Sequence, residues 1–296
     1  MELRTYLKKN NDRLEKVLAQ WLEELTDAPV IVAGMKYAVL DGGKRIRPNL
    51  LFLTLDLLGT PTEKGVPTAA AIEIIHCYSL VHDDLPAMDN DDYRRGKLTT
   101  HKKFGEAQGI LIGDALLTYA FSVLSGKNRG LLPAEKITAL VEKTAEYSGI
   151  AGMIGGQAID LESEGKKIDL ATLRRMHLYK TGKLLKLPVE CGCVIAGASG
   201  EEAGALENYA ELLGLAFQIK DDILDVEGDF EKLGKPIGSD VLLQKSTYPS
   251  VIGMEESKKL LRETAEGAKN ALKEVFGDER TRLLCELADF FVNRDQ

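Results

Sequence analysis

Two short segments concentrate aspartate residues within otherwise apolar surroundings. The first, residues 83–89, reads DDLPAMD, and the second, residues 221–225, reads DDILD. Carboxylates at this density repel one another unless a cation lies among them. Ligand sets made only of oxygen favour Mg²⁺, Mn²⁺ or Ca²⁺ over softer metals. Both segments therefore predict sites for a hard divalent cation, with a solvated acidic surface as the alternative.

The second segment has the simpler geometry. Gln218, Asp221, Asp222 and Asp225 follow the spacing i, i+3, i+4 and i+7, which places all four on one stripe of a helix. The neighbouring positions are mostly apolar, so a helix exposed mainly to solvent is the weaker interpretation. The pattern predicts a helical row of carboxylates directed at a cation.

The first segment needs a break in its helix. Asp83 and Asp89 are six residues apart, which on a regular helix would separate them by about 120°. Pro86 lies between them, and a proline inside a helix clashes with the carbonyl four residues earlier, here that of His82. We therefore expect the helix to end or kink near Pro86, and Asp89 to fold back toward Asp83.

Basic residues accompany both acidic segments. Arg94 and Arg95 follow the first one, and paired guanidinium donors match phosphate oxygens, although they could also simply neutralise the carboxylates. Residues 42–48 read GGKRIRP and place Lys44 and Arg47 just before an apolar helix, where free backbone and a helix start favour anions. Ordinary surface charge is the alternative for this element, which lacks the spacing of a P-loop.

A few further polar residues are candidates only in combination. His76 lies seven residues before Asp83 and shares its helix face, although a lone histidine in such a helix is more often structural. Nothing resembles a nucleophile elbow, an HExxH zinc motif or a GxGxxG loop, so no covalent intermediate is indicated. The other isolated candidates are Lys180, Thr181, Lys235 and Lys245.

Bulk properties exclude several classes of protein. A net charge of -8 argues against a nucleic-acid surface, which would carry a basic stripe. The four cysteines lack paired metal-ligand spacing, so buried thiols in a reducing compartment, the cytoplasm, are expected. The N-terminal residues are charged and show no signal-peptide core. No run of 18 apolar residues occurs, so we expect no membrane span.

Helical periodicity dominates the chain, and the alternation typical of strands is almost absent. Residues 108–124 and 184–198 are apolar nearly all round, as expected of helices inside a large bundle. Glycine-rich breaks separate segments of helix length, with no interdomain linker. The sequence predicts an all-α fold of roughly ten helices in a single domain spanning residues 1–296.

Taken in chain order, these segments resemble the trans-prenyl diphosphate synthases, and most closely the bacterial farnesyl diphosphate synthases. The resemblance covers essentially the whole chain. It includes HCYSLVHDD at 76–84, FGEA at 104–107, GDAL at 113–116, GGQ at 155–157, KTG at 180–182 and KSTYP at 245–249. It implies a helical bundle of the isoprenoid synthase type around a central active-site cavity, usually as a homodimer.

The resemblance also implies roles for individual residues. About three Mg²⁺ ions, or Mn²⁺ in their place, are expected, held by Asp83, Asp89 and Asp221 with Asp84, Asp222 and Asp225 in support. The allylic diphosphate would contact Arg94, Lys180, Gln218, Lys235 and Lys245. Isopentenyl diphosphate would be held by Lys44, Arg47, His76 and Arg95. The carbonyl of Lys180, together with Thr181 and Gln218, would stabilise an allylic cation.

The implied reaction is ionisation, condensation and elimination, joining isopentenyl diphosphate to dimethylallyl or geranyl diphosphate. In the family, bulky residues before the first aspartate motif form the floor of the product pocket. Tyr78, followed by Ser79, lies about 7–8 Å along the helix from Asp83 and predicts a C15 product, farnesyl diphosphate. A C20 geranylgeranyl product is the closest alternative. A terpene cyclase or a non-catalytic synthase subunit fits the motifs less well.

Overall fold

The structure is a computed structural model that describes residues 2–40, 42–227 and 246–294. These residues form fourteen α-helices, in agreement with the helical periodicity of the sequence. The only β-strands in this part of the chain are two of two residues each, paired in one hairpin. The all-α prediction is confirmed. The chain divides into two compact units, residues 1–142 and 143–296. The single domain therefore stays a prediction.

The first unit begins with α1 (Leu3–Glu23), α2 (Pro29–Val39), α3 (Ile46–Leu57) and a 3₁₀ turn (Thr62–Gly65). It continues with α4 (Val66–Asp83), the strands β1 (Tyr93–Arg94) and β2 (Lys97–Leu98), α5 (Thr100–Phe104) and α6 (Glu106–Gly126). The helix α7 (Ala134–Ser148) runs across the boundary between the units.

The helix α4 lies at the centre of the first unit. It packs against α6 and α3 and also contacts α1 and α2. Its first half is buried on nearly every side, including Ala69, Ala70 and Ala71, whose small side chains permit close helix contacts. The core therefore fixes the position of Asp83, where this helix ends.

The second unit contains α8 (Met153–Ser163), α9 (Leu170–His177), a π-helical turn (Leu178–Gly182) and α10 (Lys183–Ala196). It continues with α11 (Gly200–Glu227), α12 (Tyr248–Ile252), α13 (Met254–Phe276) and α14 (Asp278–Asn293). The long helix α11 packs along α13 and α10 and also contacts the π turn. It carries the second aspartate segment at its C-terminal end.

The excess over ten helices comes largely from single glycines. Gly105, Gly253 and Gly277 each precede a helix with a positive φ, between 78° and 96°. That left-handed conformation suits glycine and interrupts the helical path for one residue. The sequence shows where helical periodicity lies, but such short breaks divide one periodic stretch into two helices.

One helix of the described residues, α6, is long and apolar enough to match a membrane span. It also packs against α4 and α2 in the first unit, as the core helix of a bundle does. It begins with Glu106 and carries Asp114, which is exposed. The absence of a membrane span remains an expectation.

Candidate active site

The first aspartate segment forms a tight turn after α4. The helix ends at Asp83, three residues before Pro86, and the amide of Asp89 donates to the carbonyl of Asp83 at 2.9 Å. Two further backbone bonds close the turn, from Met88 and from Asn90 to the Leu85 carbonyl, at 2.9 and 3.1 Å. The predicted helix end and the return of Asp89 toward Asp83 are confirmed.

The middle carboxylate of this segment has an internal partner. Asp84 is 3% exposed and accepts from Arg94 through two nitrogens, Nε at 2.9 and 3.0 Å and Nη2 at 2.6 Å. Burial lowers the pKa of Arg94, but the hydrogen bonds to Asp84 outweigh this effect, so the pKa of Arg94 is raised overall. Asp84 therefore fixes the guanidinium beside the turn that carries Asp83 and Asp89.

A hairpin presents the two arginines in different directions. Arg94 pairs with Lys97 in the ladder, and Arg95 and Gly96 form the turn with φ of 51° and 77°. Two successive positive φ values are typical of a type I′ turn, which follows the natural twist of a hairpin. Arg95 thereby reaches out of the hairpin, and its Nη1 donates to the carbonyl of Gly42 at 2.7 Å.

The glycine loop before α3 is packed closely against that arginine. A Cβ on Gly43 would lie 2.9 Å from Nη1 of Arg95, and the φ of Gly43 is 123°. Lys44 follows and is exposed, whereas Arg47 lies in the first turn of α3 and is partly buried. The structure therefore brings the loop and Arg95 together.

His76 is surrounded by arginines. Desolvation lowers its pKa well below the ordinary value, and Arg47, Arg95 and Arg94 lower it further, in that order. The imidazole is therefore neutral at pH 7. Arg45 contributes to the same positive field, which favours an anion near His76.

Tyr78 contacts a histidine one turn later on its own helix. It is 5% exposed and meets the ring of His82 edge to face at 5.5 Å. Burial, together with Asp83 and Asp114, raises the pKa of Tyr78 to about 12. The next residue, Ser79, is partly buried and donates to the carbonyl of His76 at 2.8 Å.

The position of His82 depends on a glycine in α6. A Cβ on Gly113 would overlap the imidazole, whose Nε2 lies 3.1 Å from the carbonyl of Ile110. The absence of a side chain at Gly113 thus allows α6 to approach α4 at the level of Tyr78. This contact explains why a glycine is needed in the GDAL string.

The second aspartate segment lies on α11, as predicted, but its carboxylates have different surroundings. Asp221 is about half exposed, and Nη2 of Arg294 lies 2.5 Å from its Oδ1. The guanidinium also stacks over Phe217 at 4.0 Å. Asp225 and Gln218 are both partly buried on the same helix.

Asp222 is directed into the protein. It is 4% exposed, and its Oδ2 accepts from the amide of Tyr248 at 2.8 Å. Nε2 of His177 lies 3.4 Å from the same oxygen, and the imidazole stacks on the Tyr248 ring at 5.6 Å. Asp222 therefore joins α9 and α12 to α11. Its spacing on the helix predicts a carboxylate directed at a cation and does not indicate this structural contact.

Lys180 and Thr181 lie in the π turn rather than in a regular helix. Nζ of Lys180 pairs with Oδ2 of Asp160 at 2.6 Å, and Asp160 is 5% exposed. A Cβ on Gly156 would overlap the backbone of Lys180, so α8 approaches the turn only because this residue is glycine. A π turn leaves backbone carbonyls outside the usual hydrogen-bond pattern and is frequent at functional sites.

The donor set fits Mg²⁺ held partly by a substrate. In the described part of the chain, no group of three or more His, Cys, Asp or Glu side chains is preassembled for a metal. Mg²⁺ commonly binds one or two carboxylates and completes its octahedron with water and substrate phosphates. In the first unit, Asp83 and Asp89 at one turn match that requirement, and in the second unit Asp221 on α11 offers a single carboxylate.

Several residues of the site carry no clear signal in the sequence. Arg294 and His177 act through long-range contacts, and Asp160 pairs with Lys180 across twenty residues. Glu73, which pairs with the buried Arg45, has the clearest sequence signal of these residues. It is the one acidic residue in the first sixteen positions of the apolar helix α4, where an unpaired charge would be unfavourable. Lys235 and Lys245 lie outside the described residues.

Comparison with known proteins decides the family. Residues 28–278 match the family model for polyprenyl synthetase. The chain belongs to the polyprenyl synthetase family. Farnesyl diphosphate synthase of Geobacillus stearothermophilus is 44% identical, with 97% of each chain covered. Geranylgeranyl diphosphate synthase of Cyanophora paradoxa is also 44% identical, with 99% of this chain and 97% of that protein covered.

A solved structure extends the comparison. The crystal structure of geranyltransferase from Legionella pneumophila has a TM-score of 0.88 and 36% sequence identity. It covers 99% of this chain, and 97% of that chain is matched. Membership of the polyprenyl synthetase family is thus supported by sequence and by fold over nearly the whole length.

Proposed function

We propose that this polyprenyl synthetase condenses isopentenyl diphosphate with dimethylallyl or geranyl diphosphate to give farnesyl diphosphate. The observation that carries the proposal is the turn that returns Asp89 to Asp83, beside the guanidinium that Asp84 fixes. Carboxylates for a cation and a preoriented phosphate ligand are the groups that diphosphate departure requires. The relative from Geobacillus stearothermophilus is named for this product.

The reaction begins when the allylic carbon–oxygen bond breaks and its electron pair leaves with the diphosphate. Bound Mg²⁺ would supply positive charge to the leaving group. Arg94, already oriented by Asp84, would donate to the same oxygens. The resemblance assigns Lys180 to the allylic diphosphate as well, and assigns the Lys180 carbonyl, Thr181 and Gln218 to stabilising the allylic cation.

The second and third steps join the substrates and restore neutrality. The double bond of isopentenyl diphosphate attacks the allylic carbon, and a proton leaves the new cation for the released diphosphate. Lys44, Arg47 and Arg95 hold isopentenyl diphosphate, with neutral His76 able to donate or accept a hydrogen bond. The task of these residues is orientation.

The length of the product follows from Tyr78. Its ring is buried against His82, about 7–8 Å along α4 from Asp83, so a growing tail directed along this helix meets an aromatic wall. A C15 product is expected. The relative from Cyanophora paradoxa, named for geranylgeranyl diphosphate, makes the C20 product the second candidate.

The decisive experiment measures elongation by the purified protein. Labelled isopentenyl diphosphate is incubated with geranyl diphosphate, with Mg²⁺, with Mn²⁺ and with a chelator, and the products are separated by chain length. We expect farnesyl diphosphate with either metal and none with the chelator. Failure to elongate with metal would contradict the proposal. Cyclised hydrocarbon formed without isopentenyl diphosphate would indicate a terpene cyclase, and no product from any substrate would indicate a non-catalytic subunit.

A matched pair of variants tests the metal ligands. Asp83→Asn removes one predicted ligand, and Asp92→Asn removes a nearby aspartate that pairs with Lys102 at 2.8 Å. We expect kcat to fall at least about a hundredfold in the first and less than about twofold in the second. Equal effects of the two changes would contradict the role of Asp83.

We propose a homodimer as the working assembly. Each unit leaves apolar helical side chains exposed, Ile110 and Leu111 (48% and 51%) on α6, and Ile154 (43%) on α8. Such exposure is typical of subunit contacts. Light scattering after gel filtration should give twice the chain mass. Leu111→Asp and Ile154→Asp, made separately, should lower it, and a wild-type monomer would contradict this.

We propose that the protein acts in a reducing compartment, the cytoplasm. All four cysteines are free and buried, as expected where thiols stay reduced. Cell fractionation with a compartment marker tests this, and recovery with the membrane or an oxidising compartment would contradict it.

A further inference from the structure

Arg45 lies in the sequence between Lys44 and Arg47, yet its side chain turns inward. The side chain is 0% exposed, and its Nη1 donates to Oε1 of Glu73 at 2.7 Å. Its Nη2 donates to the carbonyl of Val39, at the end of α2, at 2.6 Å. A guanidinium with these partners does not face a substrate.

Glu73 is the matching buried charge on α4. Its side chain is 3% exposed, and it stands one helical turn before His76, on the same side of the helix. A buried carboxylate is costly unless it is paired and hydrogen-bonded. The ion pair therefore connects the loop that carries Lys44 and Arg47 to the helix that carries His76.

The backbone at Arg45 shows that the loop is held in place. Arg45 precedes α3 with φ of 49° and ψ of 41°, a left-handed conformation that residues with a Cβ disfavour. Such a conformation persists only where the surrounding structure fixes it. The bonds to Glu73 and Val39 contribute to this, together with a longer ion pair to Glu15 at 3.5 Å and the bonds from Asn49 to the Arg45 carbonyl.

The charges around the ion pair give it a further task. Arg47, Arg95, Arg94 and Arg45 all lower the pKa of His76, so four positive charges act on one residue of α4. Their mutual repulsion favours separation when no anion is bound. Oε1 of Glu73 accepts from Nη1 of Arg45 at 2.7 Å and thereby places a carboxylate within that group.

We propose that the Arg45–Glu73 ion pair is a positioning element that fixes the spacing of the isopentenyl diphosphate ligands without contacting that substrate. It sets the loop carrying Lys44 and Arg47 against His76 before the anion arrives. The inference rests on the proposed function, because that function assigns isopentenyl diphosphate to these ligands. The ion pair should therefore affect the affinity for isopentenyl diphosphate and not that for the allylic substrate.

The principal test is Glu73→Gln, which keeps the shape of the side chain and removes its charge. We expect the KM for isopentenyl diphosphate to rise about tenfold to a hundredfold, and the KM for geranyl diphosphate to change less than about twofold. Glu63→Gln is the matched control, since it breaks the Arg13–Glu63 pair of 3.1 Å in the same unit. It should leave both values unchanged.

A conservative variant separates positioning from general stability. Glu73→Asp keeps the charge on a shorter side chain and should recover most of the affinity for isopentenyl diphosphate. Arg45→Lys keeps the charge but has one nitrogen for two partners, so it should raise the same KM. If Glu73→Gln does not fold, Glu73→Asp and Arg45→Lys are compared with the wild type instead. An unchanged KM for isopentenyl diphosphate in Arg45→Lys would then overturn the inference.

Equilibrium binding of isopentenyl diphosphate, measured by calorimetry, gives a second readout beside Tm. An unchanged Kd for isopentenyl diphosphate in folded Glu73→Gln would overturn the inference. Equal losses of affinity for isopentenyl diphosphate and geranyl diphosphate, in proportion to the decrease in Tm, would also overturn it. A wild-type protein that binds isopentenyl diphosphate but does not elongate would overturn the proposed function instead. In that case the binding constants alone would still decide the role of the ion pair.

Discussion

Arg94 donates to the carboxylate of Asp84 through both Nε and Nη2, with distances from 2.6 to 3.0 Å. The two nitrogens on one edge of the guanidinium thus face one buried carboxylate, and Oδ2 of Asp91 lies 3.9 Å from the same Nη2. Asp84 therefore holds Arg94 in place beside the first aspartate segment, and the charges of Asp91 and Asp83 also raise the pKa of Arg94.

The buried position of Asp84 predicts a loss of stability when its charge is removed. Asp84→Asn should lower the free energy of unfolding by about 2–4 kcal/mol, because it leaves Arg94 without its charged partner. Asp92→Asn, at an exposed ion pair with Lys102, should cost at most about 1 kcal/mol. Urea unfolding of both variants measures the difference, and equal values would show that the Asp84 contact contributes little.

The aromatic wall in α4 predicts a change of product. Tyr78→Ala should lengthen the major product from C15 to C20 or beyond, because the buried ring beside His82 is removed. Tyr93→Ala, at a tyrosine 63% exposed on the hairpin, is the control and should leave the product unchanged. Chromatography of the dephosphorylated products is the measurement. A C15 product from Tyr78→Ala would place the floor elsewhere.

The close approach of α4 and α6 predicts that a side chain at Gly113 would displace the His82 ring. Gly113→Ala should destabilise the protein by about 1–3 kcal/mol, because the new Cβ would overlap the His82 ring. Gly126→Ala, in the same helix with open space around it, should be neutral or stabilising by up to about 1 kcal/mol. Thermal unfolding compares the two, and similar Tm values would contradict the contact.

The arginines around His76 predict a pH dependence of stability. The pKa of His76 is lowered in the folded protein, so below the ordinary value of 6.5 the unfolded chain takes up a proton that the folded state does not. Stability should therefore fall as pH decreases below 6.5, by at most about 1.4 kcal/mol per pH unit from this residue.

The contribution of His76 is isolated by difference. His76→Gln removes the titrating group. As pH decreases from about 7.5 to about 5.5, through the ordinary histidine pKa of about 6.5, the free energy of unfolding of this variant should fall less steeply than that of the wild type. Urea unfolding at both pH values gives the two slopes. Parallel slopes would mean that His76 is protonated alike in both states.

Local rules account for the parts of the site that the sequence predicts. Proline cannot continue a helix without a clash, so Pro86 alone indicates that α4 ends near Asp83 and that Asp89 returns. The stripe from Gln218 to Asp225 likewise follows from helical spacing, and α11 runs through all of it. Both predictions involve residues within one turn or one helix.

Long-range packing accounts for the parts that sequence reasoning missed. Lys44, Arg45 and Arg47 carry the same charge, and it is Arg45 that is buried, because Glu73 on α4, Glu15 on α1 and the Val39 carbonyl receive its guanidinium. Arg294 meets Asp221 across 73 residues of sequence, a separation at which residue types indicate no partner. The inward turn of Asp222 similarly depends on the later chain, because Tyr248 supplies its donor.

The π turn at Leu178–Gly182 sets a limit on how this part of the chain can change its length. A helix that contains such a turn carries one residue more than regular helical winding needs. Deleting one residue within the turn would therefore restore regular winding and leave later side chains such as Leu184 and Leu185 facing the core. Elsewhere in residues 170–196 an insertion or deletion would rotate every later side chain by about 100°, so this turn is the place where the stretch can lose a residue.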